Sequence, residues 1–333
     1  MNVTRTGAYV LGGLCGLTVA AIGGLSVRFQ LGSRCADCAW KTTYYPKFGD
    51  VGAVKHLSIL PLIDWYTALN SGTNLVGEAG VSYFIRADDI TILFDVGLNA
   101  RGEHPSPLLR NVHALGVRLE EVDHIFISHL HLDHVGGTAY QRAHTFGLSG
   151  ERLNLEGVTA SVPEPMTHPT ARVEVEEEPR VIAPGIITLG PIPRQLFFLG
   201  WTPEQSLAVN VEGKGIVLIV GCGHSTIQRI VARAEQLFDA PLYGVIGGLH
   251  YPVTASRLVK FGLPLQCILG TGKWPWNPIN QQDVAAGIGY LQRRRPQLVA
   301  LSPHDSCDWS LEAFRQAFGE AYQDVRVGET IEL

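Results

Sequence analysis

The chain has 333 residues, of which 46% are hydrophobic and 17% charged, with a formal net charge of -5. That length and composition support a globular protein with a substantial core and exclude a disordered chain. No basic run exceeds Arg293–Arg295, so there is no footprint for nucleic acid. In chain order, the first feature is "AYVLGGLCGLTVAAIGGLSV", residues 8–27, an uncharged run between Arg5 and Arg28. As a helix it would span about 30 Å, the thickness of a bilayer's hydrocarbon layer. This predicts a single-pass N-terminal transmembrane helix, residues 1–28, as a membrane anchor. A cleaved signal peptide is the rival reading, and "SVRFQ" is a poor cleavage site for it. Arg28, Arg34, Lys41 and Lys47 follow the run, which puts the catalytic domain on the cytoplasmic side, with the periplasmic side left open.

Residues 29–53 read as a tether. "CADC", 35–38, within it has spacing suited to redox or metal chemistry but lacks a second pair, so it reads as an incidental or disulfide-bonded pair. From 54 to 333 the pattern is that of one catalytic domain. "HLSILPLI", "VSYFIRA" and "ITILFDVG" are short strands, "PLLRNVHALG" is a helix ending on Gly116, and "VDHIFISHL" is a strand. Residues 150–200, rich in Pro and Glu, read as an insertion with short strands. "SLAVNVEG" and "GIVLIVGCG" are strands joined by a turn at Glu212–Gly215. Next come a helix in "STIQRIVARAEQLF", a buried strand "LYGVIGG", a helix in "QQDVAAGIGYLQRRR" and the strand "QLVALSPH". "SLEAFRQAFG" is a last helix, and "VRVGETIEL" closes the chain as a hairpin. Strands lead each half, with helices between and after them. This α/β order predicts two sheets face to face with helices outside.

The chemistry concentrates in "SHLHLDHVGG", 128–137. If the chain is extended through His131, His129 and His131 face the same way, because strand side chains alternate. Gly136 and Gly137 then let the chain turn, so that Asp133 and His134 project from the first turn. Four such ligands can surround two cations, with imidazole suited to zinc, iron or manganese and the carboxylate to the harder position. His250, in "GGLH", ends a buried strand where it could touch metal or substrate. His168 reads as structural, and His56, His104, His113, His124 and His144 as ordinary surface residues. "TGKWPWNPI", 271–279, reads as a pocket wall, a membrane-dipping loop or a plain packed loop.

"SHLHLDHVGG" resembles the H-x-H-x-D-H signature of the metallo-β-lactamase superfamily. "EAGVSYFI", "ILFDVG" and "LLRNVHALGVRLEEVDHIFISHLHLDHVGG" match the opening of that fold in order. "GPIPRQ", "IVLIVGCGHSTIQRI", "GVIGGLH" and "LSPHDSC" are similar to its dihydropterin ribofuranosylaminobenzene-phosphate synthase-like metal hydrolase branch. The resemblance covers roughly 55–333. It implies an αββα sandwich with the metal site along one edge of the sheets. It also implies His129 and His131 as ligands of a first metal and Asp133 and His134 of a second. His224 would be a further ligand, and His304 would complete the site. Asp95 and Cys222 would stand outside the ligand set, with Asp95 bracing the histidine loop. Two departures concern substrate identity. Ala79 stands between Glu78 and Gly80 where the branch often has histidine, and "TPEQSLAV" leaves the register of Glu204 and Gln205 open.

Two cations sharing a water would acidify it toward neutrality, giving a metal-bridged hydroxide at physiological pH. Asp133 would orient that nucleophile, and His250 or His304 would donate a hydrogen bond to the developing oxyanion. No G-x-S-x-G elbow is present. The expected function is therefore a metal-dependent hydrolase with two divalent ions, zinc or else iron or manganese. Its substrate would be a small molecule: an ester, lactone, amide or phosphoester. The alternatives are a synthase-type or redox enzyme on the same site, or a non-catalytic membrane-anchored binding protein.

Overall fold

The computed structural model describes residues 3–69, 74–260 and 262–333, with the side chains of 3–20 and 260 outside that description. Two sheets form the centre. The first runs, in spatial order, Ile331–Glu332, Leu57–Ile63, Ser82–Ala87, Ile90–Phe94, His124–Phe126, Thr159–Val162 and Arg172–Val175. The second runs Leu298–Leu301, Leu242–Gly247, Gly215–Val220, Leu207–Val211, Ile186–Thr188 and Arg180–Ala183.

Burial on both faces explains why these strands are continuous apolar runs, such as "GIVLIV", rather than alternating ones. Tyr83, Phe94 and Phe126 of the first sheet and Val217, Ile219 and Ile246 of the second belong to one buried cluster between the sheets. The helices Ile227–Leu237, Gln281–Gln292 and Asp308–Phe318 supply Ile230, Val284 and Phe314 to a second cluster outside the second sheet. The helix Pro107–Ala114, capped by Ser106, covers the first sheet with Leu108 and Val112. The result is an αββα sandwich.

The pairing directions decide where the site lies. Ile90–Phe94 is parallel to His124–Phe126, and Gly215–Val220, Leu242–Gly247 and Leu298–Leu301 are mutually parallel. Within each set, parallel strands deliver their carboxyl ends to one edge. The residues that follow these strands are Asp95, His129 to His134, Cys222 to His224, His250 and His304.

Several expectations change. Residues 29–42 are not a tether but the end of the helix Val3–Thr42. Phe29 and Ala36 are buried, the Arg28 guanidinium donates to Phe197 O and Phe198 O, and the Phe29 ring meets Trp274 at 4.7 Å. Cys35 and Cys38 are free, exposed thiols on this helix. The transmembrane helix gains no support: among the described residues, no helix is long and apolar enough to cross a membrane. The greater part of the expected span, 8–20, lies where side chains are outside the described residues. The carboxyl tail is not a hairpin, because Ile331–Glu332 pairs with Leu57–Ile63 as an edge strand. His124 is buried rather than superficial, bonded to Ser161 Oγ at 2.9 Å.

Phe94 stacks on Phe126 at 5.3 Å and Tyr83 at 6.0 Å with no exposure. Phe94→Ala should therefore destabilise the protein by about 3–5 kcal/mol in urea unfolding.

Candidate metal centre

The strand His124–Phe126 ends before the histidines, which lie on the loop that follows it. Gly136 and Gly137 have φ of 92° and 115°, conformations that a side chain would strain. Asp95 anchors this loop. Its Oδ1 accepts from the Ser128 backbone N–H, and its Oδ2 accepts from the Ser128 hydroxyl and His134 Nδ1, all at 2.7 Å. Having donated to Asp95, the Ser128 hydroxyl accepts from His129 Nδ1 at 2.9 Å. His129 Nε2 is then left as a buried lone pair with no partner.

The second sheet repeats this arrangement. Ser302 Oγ donates to Asp64 Oδ2 at 2.6 Å and accepts from His304 Nδ1 at 2.7 Å. His224 Nδ1 must carry its proton, because it faces the carbonyl of Gly270 at 2.7 Å. Thus His129, His134, His224 and His304 each have one nitrogen tied outward and Nε2 turned inward. The inward atoms crowd together. His224 Nε2 is 3.1 Å from His131 Nδ1, and Cys222 Sγ is 3.1 Å from His134 Nε2 and 3.3 Å from His304 Nε2.

Three donor groups emerge among the described residues. Asp133, His134, His304 and Cys222 bring their donor atoms within 4.8 Å of one another, and so do His129, His224 and Cys222, and Cys222, His250 and Asp305. His131 joins the second set through its contact with His224. Cys222, expected outside the ligand set, is common to all three groups. Of these inward nitrogens only His129 Nε2 has no partner; the others share protons with His131 and Cys222, and a divalent cation would take the place of those protons. Imidazole, thiol and carboxylate donors fit a divalent transition metal.

The loop Cys222–His224 is set by Glu204, which settles the open register of "TPEQSLAV". One Glu204 oxygen accepts from Cys222 N–H at 2.8 Å and Gly223 N–H at 2.7 Å, and the other from His224 N–H at 2.6 Å. Gln205 donates instead to Ile127 O and so ties the two sheets together. Asp64, Ser128 and Ser302 drew no notice in the sequence. Their only signal there is a polar residue at the end of an apolar strand.

His250 is placed beside His224, ring centres 4.9 Å apart. Its Nε2 donates to Gln266 O at 3.1 Å, and Nδ1 is buried without a partner. A neutral His250 therefore offers an acceptor, not the oxyanion donor expected of it. His304 has both nitrogens committed and is no free donor either. Asp305, missed in the sequence, accepts from the His250 backbone N–H at 2.9 Å. His168 is structural as expected, accepting from Ala171 N–H and stacked on Phe146. Ala79 helps line a cavity of about 160 Å³ at the cluster's mouth, with Leu132, Leu199, Leu258 and Leu269. Of the loop 271–279, Thr271 and Lys273 line a second cavity and Trp274 packs on Phe29 and Phe197.

Burial pushes His131 and His250 down to about 4 and holds His129, His224 and His304 well below the usual imidazole range. Burial also opposes the charge on His134, but the Asp95 and Asp133 carboxylates outweigh it and raise the group to about 9. Most of the cluster is therefore neutral and ready to bind metal.

The family model of the metallo-beta-lactamase superfamily matches residues 75–149. The chain is 26% identical over 249 residues to the 7,8-dihydropterin-6-methyl-4-(beta-D-ribofuranosyl)-aminobenzene-5'-phosphate synthase of Methanocaldococcus jannaschii, covering 60% of this chain and 80% of that one. A metal-dependent hydrolase of the β-lactamase superfamily has a similar structure, with TM-score 0.54 and 19% identity over 83% of this chain and 99% of the other. So does the metallo-β-lactamase fold protein YhfI from Bacillus subtilis, with TM-score 0.50 and 13% identity over 84% and 100%.

Asp95→Asn should weaken metal affinity by about 10–100-fold in chelator competition, because the orientation of His134 and Ser128 depends on it. A second outcome concerns pH. His124 is also lowered to about 4, so on unfolding in acid it takes up a proton together with His131 and His250. Their stabilisation is complete above the unfolded value of about 6.5 and is lost as pH falls through about 4. His134 acts oppositely: its contribution is complete below about 6.5 and is lost as pH rises through about 9. Burial raises Asp64 to about 7, so its contribution runs the other way, complete below about 3.8 and lost as pH rises through about 7. The imidazole contribution is isolated by His124→Gln, which should reduce the loss of urea midpoint of chelator-treated protein between pH ~6.5 and ~4.

Proposed function

We propose that this chain is a member of the metallo-β-lactamase superfamily and a metal-dependent hydrolase of small molecules bearing an ester, lactone, amide or phosphoester bond. The observation that carries this reading is the set of four imidazoles with one nitrogen tied outward and Nε2 turned inward. His129, His131 and His224 would hold one divalent ion and Asp133, His134 and His304 a second, with Cys222 shared between them. Zinc fits this mixture of nitrogen, sulfur and oxygen donors, and iron or manganese are the alternatives. Such ions supply Lewis acidity, lowering the pKa of water and polarising a carbonyl or phosphoryl oxygen.

The chain's own groups do the rest. Asp133 keeps 23% of its side chain exposed, the most open ligand of its set, and can both bind a cation and orient a nucleophile. His250, neutral with an unpartnered Nδ1, can accept a hydrogen bond from that nucleophile or from the substrate. The leucines at the mouth limit water and favour an apolar part of the substrate there.

A synthase activity on the same ligands is the second reading, favoured by the name of the Methanocaldococcus jannaschii relative. Elemental analysis of protein purified without added metal, followed by a panel of esters, lactones and phosphodiesters, tests the first. A stoichiometric divalent metal and turnover lost in Asp133→Ala are expected. A metal-loaded protein inert toward every bond class would sink the hydrolase reading. With cobalt substituted, wild type should show a thiolate-to-metal charge-transfer band that Cys222→Ser lacks. An unchanged spectrum in that variant would remove Cys222 from the ligand set.

A further inference from the structure

A second cavity, of about 230 Å³, shares His224, His250 and Gly270 with the apolar mouth but is otherwise lined by Arg194, Thr226, Thr271 and Lys273 together with the carboxylate of Asp283. Its positive charge is only half answered. Lys273 Nζ pairs with Asp283 at 2.6 Å. Arg194 pairs with no carboxylate among the described residues, and the residues outside that description include no acid. Its guanidinium donates once, to Gly272 O at 3.3 Å, and Nε is buried with no partner. The nearby acid Asp37 is already taken by Arg229. Arg194 is half-buried, and a guanidinium partly withdrawn from water without a counter-ion favours an anion that arrives from outside.

Two further features face the same space. The helix Ile227–Leu237 begins here at Thr226, φ 77°, with no side-chain cap and no acid in its first turn. Its dipole and free N–H groups favour an anion. The loop 270–273 is pressed onto the residues beneath. A Cβ on Gly272 would stand 2.3 Å from Arg194 Nε, and one on Gly270 would stand 2.2 Å from His250 Cε1. The same loop thus covers Arg194 and His250 together, linking the cationic cavity to the metal-binding cluster.

We infer that this cavity is an anion subsite that takes a phosphate group carried by the substrate and so places the substrate's reacting bond beside His224 and His250. The claim about the reacting bond rests on the hydrolase reading; the anion site does not. An arginine fork, a lysine, a threonine hydroxyl and a helix start arranged around one space suit the tetrahedral, multiply charged phosphate.

Titration of inorganic phosphate into the full-length, metal-containing protein by calorimetry tests the inference. Arg194→Gln should weaken phosphate binding by at least about tenfold with metal content and thermal midpoint unchanged, and Lys273→Gln by a smaller factor. Equal phosphate affinity in wild type and a folded Arg194→Gln variant would mean that phosphate sits on the metals alone, and the inference would fall. If Arg194→Gln does not fold, Lys273→Gln decides, and unchanged affinity there overturns the inference. On the panel of substrates, Arg194→Gln should raise KM for phosphorylated compounds while leaving their unphosphorylated counterparts unaffected. A protein that binds phosphate through Arg194 but hydrolyses nothing would retain the subsite and lose the hydrolase reading.

Discussion

The structure depends on two Asp–Ser–His tethers, Asp95–Ser128–His129 and Asp64–Ser302–His304. In each, a buried carboxylate accepts the serine proton. The serine oxygen then has only acceptor capacity left, and the imidazole must present its Nδ1 proton to it. The tautomer is thereby fixed, and Nε2 becomes a lone pair aimed inward. Asp95 Oδ2 accepts directly from His134 Nδ1 and so fixes the orientation of that ring. Three ligand orientations thus follow from two carboxylates at the ends of two strands of the first sheet.

These tethers also join the two sheets at the site. Asp64 follows a strand of the first sheet and Ser302 one of the second, and Gln205, just before the second sheet's strand Leu207–Val211, donates to the carbonyl of Ile127, just after a strand of the first. The apolar layer between the sheets keeps water from these bonds, and that same burial keeps the imidazoles neutral. Burying so many polar groups is unfavourable unless each has a partner. The outward nitrogens have theirs within the chain, and of the inward ones His129 Nε2 has none. This cluster therefore has a reason to exist that packing alone does not supply.

Some of this was legible in the sequence, and the physical reason is locality. Asp133 and the histidines at 129, 131 and 134 lie within six positions, so their convergence follows from strand alternation and one turn. His224 and His304 come from distant strand ends and were accessible only through resemblance to a known family. Asp64 and Ser302 were not readable at all, because their bond joins residues 238 positions apart. Cys222 was read as standing outside the ligand set; that its thiol lies within reach of three groups of donors is a fact of tertiary geometry. The segment 29–42 misled for a different reason. The uncharged run before Arg28 suggested a span ending there, but the helix continues and packs Phe29 against Phe197 and Trp274.

The two cavities sharing His224 and His250 bear on the choice between hydrolase and synthase. On the proposed reading, the phosphate end of a substrate is held by Arg194 and its other end lies among Leu132, Leu199 and Leu258. The reacting bond then sits between them, next to Asp133. What attacks that bond depends on what else fits in the leucine-lined mouth. If the substrate fills a space of about 160 Å³ alone, only water remains small enough to enter, and hydrolysis follows. If a second apolar molecule can share the mouth, the same ligands would activate it instead and the product would be a condensation. The metal ligands are common to both outcomes, so the difference lies in the leucines and in Ala79, where a larger side chain would narrow the mouth.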